Sequence, residues 1–221
     1  RYATIGASID DRNAMLMFGA QLLQVRYEQD RLEELIEPLH DYVARFPALV
    51  AWRASLPDVL EAAGLHREAQ QELAELEELG LPAPADPLWL ACNVSYTRAC
   101  YELRVVHLAP VLYERLAPYG DSIATVGYTA IILGSIHRYL GMLATLMQDF
   151  HAAEQHFEQA LEVNRRNDLP VMTAWTRFNF AQMLLARDGS PSSRSMRLAG
   201  QALRTAQASG LVRLAGRLAS L

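Results

Sequence analysis

The residues most able to do chemistry are six histidines (His40, His66, His107, His137, His151 and His156) and two cysteines (Cys92 and Cys100). A zinc site on helices takes His at i and i+4, as in H-E-x-x-H, or tight Cys–His clusters. His151 and His156 are five apart and fall on different faces of a helix, so no metal site is expected. Cys92 and Cys100 share one predicted helix, about 12 Å apart along its axis at roughly 1.5 Å per residue. That is too far for a disulfide, and both read as reduced thiols. No G-x-S-x-G occurs, and Gly134-Ser135-Ile136-His137 reads as mid-helix, not as a nucleophile elbow. All 20 basic residues are Arg, which excludes a P-loop lysine, a Schiff-base lysine and a Ser–Lys dyad. The acids of ELAELEELG (72–80) read as the outer side of an amphipathic helix. Asn93-Val94-Ser95 matches a glycosylation sequon and should be inert on a cytoplasmic helix. The expectation is a non-catalytic chain with no cofactor and no metal.

Composition narrows the partners. Apolar residues make up 51% and charged residues 20%, which is too apolar for disorder. A formal charge of -5 argues against general nucleic-acid binding, so direct nucleic-acid contact is not expected. No apolar run reaches the roughly 18 residues of a membrane span. The opening RYATIGASIDDR lacks a signal-peptide pattern. It also lacks an initial Met, so a segment of a longer cytoplasmic protein is expected. From Arg187 onward six Arg (187, 194, 197, 204, 213 and 217) face one acid, Asp188. That basic end could dock an acidic partner or another copy of the chain.

These side chains must be positioned by helices. Ala153, Phe157 and Ala160 are spaced by 4 and 3, facing a helix that carries Leu140-Gly141. This small–large–small pattern lets two helix backbones approach closely. The same spacing recurs at Leu35–Leu39–Tyr42, Ala69–Leu73–Leu76, Ala109–Tyr113–Leu116 and Ser195–Ala199–Ala202, with starts separated by 34, 40, 44 and 42 residues. Such a period indicates a stack of helical hairpins. No strand pattern persists, so the expected fold class is all-α: an α-α superhelix of about five hairpins forming one domain over residues 1–221. The hairpins fall at about 11–46, 49–79, 87–116, 123–166 and 170–209, with a terminal helix at 211–221. Asp30 and Glu33 read as a capping box, and Asp86-Pro87 as an N-cap with proline at the first helical position. Pro38 and Pro57 should kink their helices or shift the boundaries, and Pro110 should move a helix start toward His107.

Four segments together, 18–36, 112–121, 134–164 and 173–191, resemble the C-terminal tetratricopeptide-like region of large bacterial signalling ATPases. In that group a helical array follows an AAA/STAND-type ATPase module and serves a class III cyclase or a LuxR-type DNA-binding output. The resemblance spans most of the chain and is weakest over 48–103. It implies a regulatory domain in signalling or transcription regulation that binds a protein or peptide, or a small effector ligand. None of the group's enzymatic motifs is present.

In arrays of that type the first helix of each hairpin lines the concave groove. The corresponding positions here are Arg98 and Tyr101 in the third hairpin, Ser135, Arg138, Met142 and Thr145 in the fourth, and Trp175, Phe178 and Gln182 in the fifth. Arg beside aromatic and Met side chains can hold a peptide carboxylate. The competing reading is that Trp175, Phe178 and Met142 pack the interior. A second function is self-association as a homo-oligomer through the terminal helix, whose Leu211, Leu214, Leu218 and Leu221 form an apolar stripe.

Overall fold

A computed structural model describes residues 11–86, 88–127 and 130–221, with side chains from Met17 onward. It is 76% helix, with eleven α-helices among the described residues. Helices α1 (Asp11–Glu28) and α2 (Ile36–Arg45) come first and meet mainly through the 3₁₀ turn between them, while α3 (Val50–Ala62) pairs with α4 (His66–Glu78). Next come α5 (Leu88–Glu102) with α6 (Ala109–Leu116), α7 (Ile136–Leu146) with α8 (Phe150–Arg166), and α9 (Pro170–Asp188) with α10 (Ser193–Ser209). Helix α11 (Val212–Ala219) ends the chain. No described helix is long and apolar enough to cross a membrane.

The sequence period has its origin in the turns. Asp30, Gly64, Arg104 and Gln148 each take a left-handed conformation (φ 57°, 82°, 58° and 61°). The next residue's N–H reaches back to the carbonyl five positions earlier: Arg31 to Arg26, Leu65 to Leu60, Val105 to Cys100 and Asp149 to Ala144, all at 2.9–3.0 Å. This closes the last turn of each first helix and ends it. The 4-and-3 trios at Leu35, Ala69, Ala109 and Ala153 each begin five residues after the left-handed residue. One turn geometry therefore sets the register of four hairpins. Three of the four positions carry side chains in place of glycine.

Within the α7–α8 hairpin the expected packing is present. A Cβ on Gly141 would stand 3.0 Å from the Phe157 ring, while Ala153, Phe157 and Ala160 are fully buried. Phe157 continues the contact outward by stacking on Phe180 of α9, with centroids 5.4 Å apart. Helices α3, α5, α7 and α9 contact one another in succession as an inner layer, each backed by its hairpin partner.

Residues 123–135 correct the expectation of a helix. Ile123–Val126 (β1) pairs antiparallel with Ile131–Ser135 (β2), with an irregular register between Ala124 and Thr125. The β-branched residues Ile123, Thr125, Val126, Ile131 and Ile132 favour this pairing. Gly127 and Gly134, at φ 59° and 97°, permit backbone that a helix would exclude. Tyr128 and Thr129, placed in the same expected helix, lie outside the described residues. Ser135 accordingly sits at a strand-to-helix junction, not mid-helix. Its fully buried hydroxyl caps α7 by accepting from the His137 N–H.

Asp30 is likewise not an N-cap: it is the left-handed turn residue, and a short 3₁₀ turn over Leu32–Leu35 leads into α2 without a side-chain cap. That turn moves the start of α2 to Ile36, leaving Pro38 in the first turn, where proline is tolerated. Pro57 stays inside α3. Val106–Leu108 forms a 3₁₀ turn, and Pro110 opens α6. Asp86 Oδ1 accepts from the Leu88 N–H at 2.7 Å, while Pro87 lies outside the described residues.

The row of helices closes on itself. One core cluster joins Tyr27, Leu32, Leu56 and Leu60 from the first hairpins to Trp175, Phe178, Leu211 and Leu214 from the last. Helix α11 touches α1, and Arg213 donates to Asp30 Oδ1 (2.8 Å) and to the Ala62 carbonyl (2.6 Å).

Candidate functional site

The inner face carries a buried charge cluster, and α1 is its occupant. Arg98 of α5 places Nε 3.2 Å from Asp58 Oδ1 of α3 and its guanidinium 4.0 Å from the Tyr27 ring centroid of α1. Arg213 approaches the same ring at 4.9 Å. Trp175 of α9 donates its indole N–H to the Glu28 carboxylate, 3.2 Å from each oxygen, and Gln24 donates to the same group at 2.9 Å. Arg138 of α7 donates Nε to Asn179 at 2.8 Å and lies 5.4 Å from the Trp175 ring. Arg217 grips Glu102 with two bonds of 2.7 and 2.6 Å.

Burial sets the electrostatics here. It raises the pKa of Asp58 and Glu28 against the pull of Arg98. Glu61 is pushed up to about 7 by burial and by its neighbours Glu102 and Asp58, against Arg213. For Arg98 burial is the largest single influence and lowers its pKa, but Asp58, Tyr27, Tyr139 and Glu28 together outweigh it, so its charge is secure.

Most of the residues expected to line an open groove are interior. Tyr101, Ser135, Met142, Trp175 and Phe178 are at most 2% exposed, and Arg138 and Thr145 are 5% exposed. The Thr145 hydroxyl donates to the Gly141 carbonyl. Gln182 is half-buried and accepts from Asn179 at 3.1 Å. The structure brings Arg98, Arg138 and Trp175 together around Glu28, while Ser135, Met142, Thr145 and Gln182 belong to other contacts. The sequence reading missed Tyr27, Glu28 and Asp58, and assigned Arg213 to a basic end free to dock a partner, whereas it lies against Asp30 and Tyr27. The Tyr-Glu pair just before a turn, and an acid next to Pro57 in an otherwise apolar run, were the available signals.

Beside the cluster lies a cavity of about 240 Å³ between α1, α3, α5 and the β-hairpin. Leu23, Trp52, Ala91, Cys92 and Ile131 contribute to its mainly apolar wall, which also includes Ser55, Asp58, Ser95 and Arg98. Cys92 and Cys100 are free and buried, and burial pushes both thiols up to about 12, so neither is poised as a nucleophile.

A second polar group stands between α6, α7 and α8. Tyr113 Oη is 2.8 Å from His156 Nε2, the two histidines face each other with Nδ1 atoms 3.0 Å apart, and His137 Nε2 lies 3.5 Å from Asp121. One proton arrangement satisfies both hydrogen bonds: Tyr113 donates to His156 and His156 to His137, which leaves the His137 Nε2 proton on the side of Asp121. Burial and the adjacent His137 lower the His156 pKa to about 4. Among the described residues no three His, Cys, Asp or Glu side chains are grouped to hold a metal ion.

The terminal helix is already engaged. Leu211 and Leu214 are buried, Leu218 is partly buried and Leu221 is exposed. Of the C-terminal arginines, Arg187 and Arg194 pair with Glu154, and Arg213 and Arg217 pair with Asp30 and Glu102. No family model, curated protein or solved structure matches this chain.

Proposed function

We propose that the chain is a non-catalytic, tetratricopeptide-like regulatory domain of a bacterial signalling or transcription-regulating ATPase, binding a partner or effector on its inner face. The observation that carries this reading is the seating of α1. Arg98, Arg138 and Trp175, selected from the sequence as groove residues, gather around Glu28 of α1, which supports an inner face able to hold a helix by an acidic anchor. A partner segment with an acidic side chain can compete for the same contacts, and displacing α1 would change how the inner layer presents itself to an attached domain. The engaged state of α11 weighs against self-association through that helix.

The test is co-purification of the full chain with the ATPase and output domains encoded beside it, using the parent chain and the Glu28→Gln and Arg138→Met variants. Retention by the parent that changes in both variants is expected. Equal retention of all three removes the inner face from the reading, and flanking sequence without an ATPase removes the signalling setting.

A further inference from the structure

The cavity beneath α1 has a composition that selects a ligand class. Its charges balance in sum, since Arg98 and Asp58 pair at 3.2 Å and Asp86 caps α5, although Arg98 Nη2 is buried without a hydrogen-bond partner. A charged ligand would lose its hydration without meeting a free counter-charge. The apolar side chains of Met17, Leu23, Leu49, Trp52, Leu88 and Ile131 reward an aliphatic body. At interior packing density the cavity has room for about ten heavy atoms.

Neutral polar handles stand beside that Arg98 donor. The Ser95 hydroxyl has no hydrogen-bond partner among the described residues, and the Gln24 amide, which spends one N–H on Glu28, keeps its oxygen. A donor-acceptor hydroxyl and an acceptor oxygen in one apolar wall match a neutral polar end. We propose that this cavity binds a small uncharged amphipath, an aliphatic molecule ending in one alcohol or amide group. The proposal extends the inner-face reading, because the ligand would lie against α1 and bias its seat.

The experiment is calorimetric titration of the full chain at neutral pH with 1-octanol and octanamide, against octanoate and octylammonium of matched length. Saturable one-to-one binding of the neutral probes, at least about tenfold tighter than the charged ones, is expected. Ala51→Phe, which fills the cavity, and Ser95→Ala, which removes a handle and adds no bulk, should each weaken it. Absence of saturable binding, equal affinity for charged probes, or binding indifferent to both variants overturns the proposal. Tight neutral binding in a chain whose co-purification never responds supports this site while refuting the regulatory reading. Co-purification that responds to Glu28→Gln in a chain that binds no neutral probe does the reverse.

Discussion

Helices α8 and α1 both pack against the inner layer, α8 as the hairpin partner of α7, but different forces hold them. In the hairpin, shape does the work: the Phe157 ring lies so close to Gly141 that an added Cβ would stand only 3.0 Å from it, and Ala153 and Ala160 seal the seam. Such a seam has one arrangement, because interiors pack like crystals and do not deform gradually. Helix α1 is fastened by charge and cation–π contact: Tyr27 beside Arg98 and Arg213, and Glu28 under the Trp175 indole. Its Phe18 and Val25 are 42% and 49% exposed, so this helix buries less of its apolar surface. A contact built from charges can be exchanged for an equivalent one, whereas a seam built from shape must be broken.

The largest effect should come from the seam. Phe157→Ala removes a fully buried ring and should cost about 3–5 kcal/mol, read as a fall in the denaturant midpoint. If it costs less than the charge substitutions in the α1 site, the contrast between the two regions is wrong. Next in size is Arg98→Met, which leaves Asp58 buried without its partner and should cost about 3 kcal/mol. Adding Asp58→Leu should restore most of that loss, since a closed ion pair can be replaced by apolar groups of similar size. Glu28→Gln should cost only about 1 kcal/mol globally, because the amide still accepts from Trp175. Its signature is local: faster amide hydrogen exchange in α1 with α7 and α8 unchanged. Uniform exchange across the chain would remove the distinction.

The sequence disclosed these regions unequally, for physical reasons. A seam between helices imposes side-chain size at fixed spacing, so Gly141, Ala153, Phe157 and Ala160 could be read without coordinates. The charge cluster imposes no spacing. Its members come from α1, α3, α5, α7, α9 and α11, and Arg213 meets Asp30 across 183 positions. Arg98, Arg138 and Trp175 were legible as inner-face residues because each lies on the first helix of a hairpin. Their burial was not, since it depends on α1 packing over them. Ile123–Ser135 was misread because its apolar residues also fit a helix, while the deciding features were branched side chains and two left-handed glycines.

The smallest effect, and the sharpest separation, should come from pH. Glu61, beside the Arg213 contact that joins α3 to α11, keeps its proton up to about 7 in the fold, against 4.5 for an ordinary glutamate. Between those values the folded chain binds the extra proton, so this contribution to stability falls as pH rises. His156 faces Tyr113, His137 and Asp149, and it refuses its proton until about 4, against 6.5 for a free histidine. There the unfolded chain binds the extra proton, and stability rises with pH across nearly the same window. His156 is only half-buried, so solvent screening reduces its share. Hydrogen exchange followed from pH 4.5 to 7 should therefore show α3 and α11 loosening while α8 tightens. Glu61→Gln should flatten the first trend alone and His156→Asn the second alone; if either variant flattens both, the two regions are not independent.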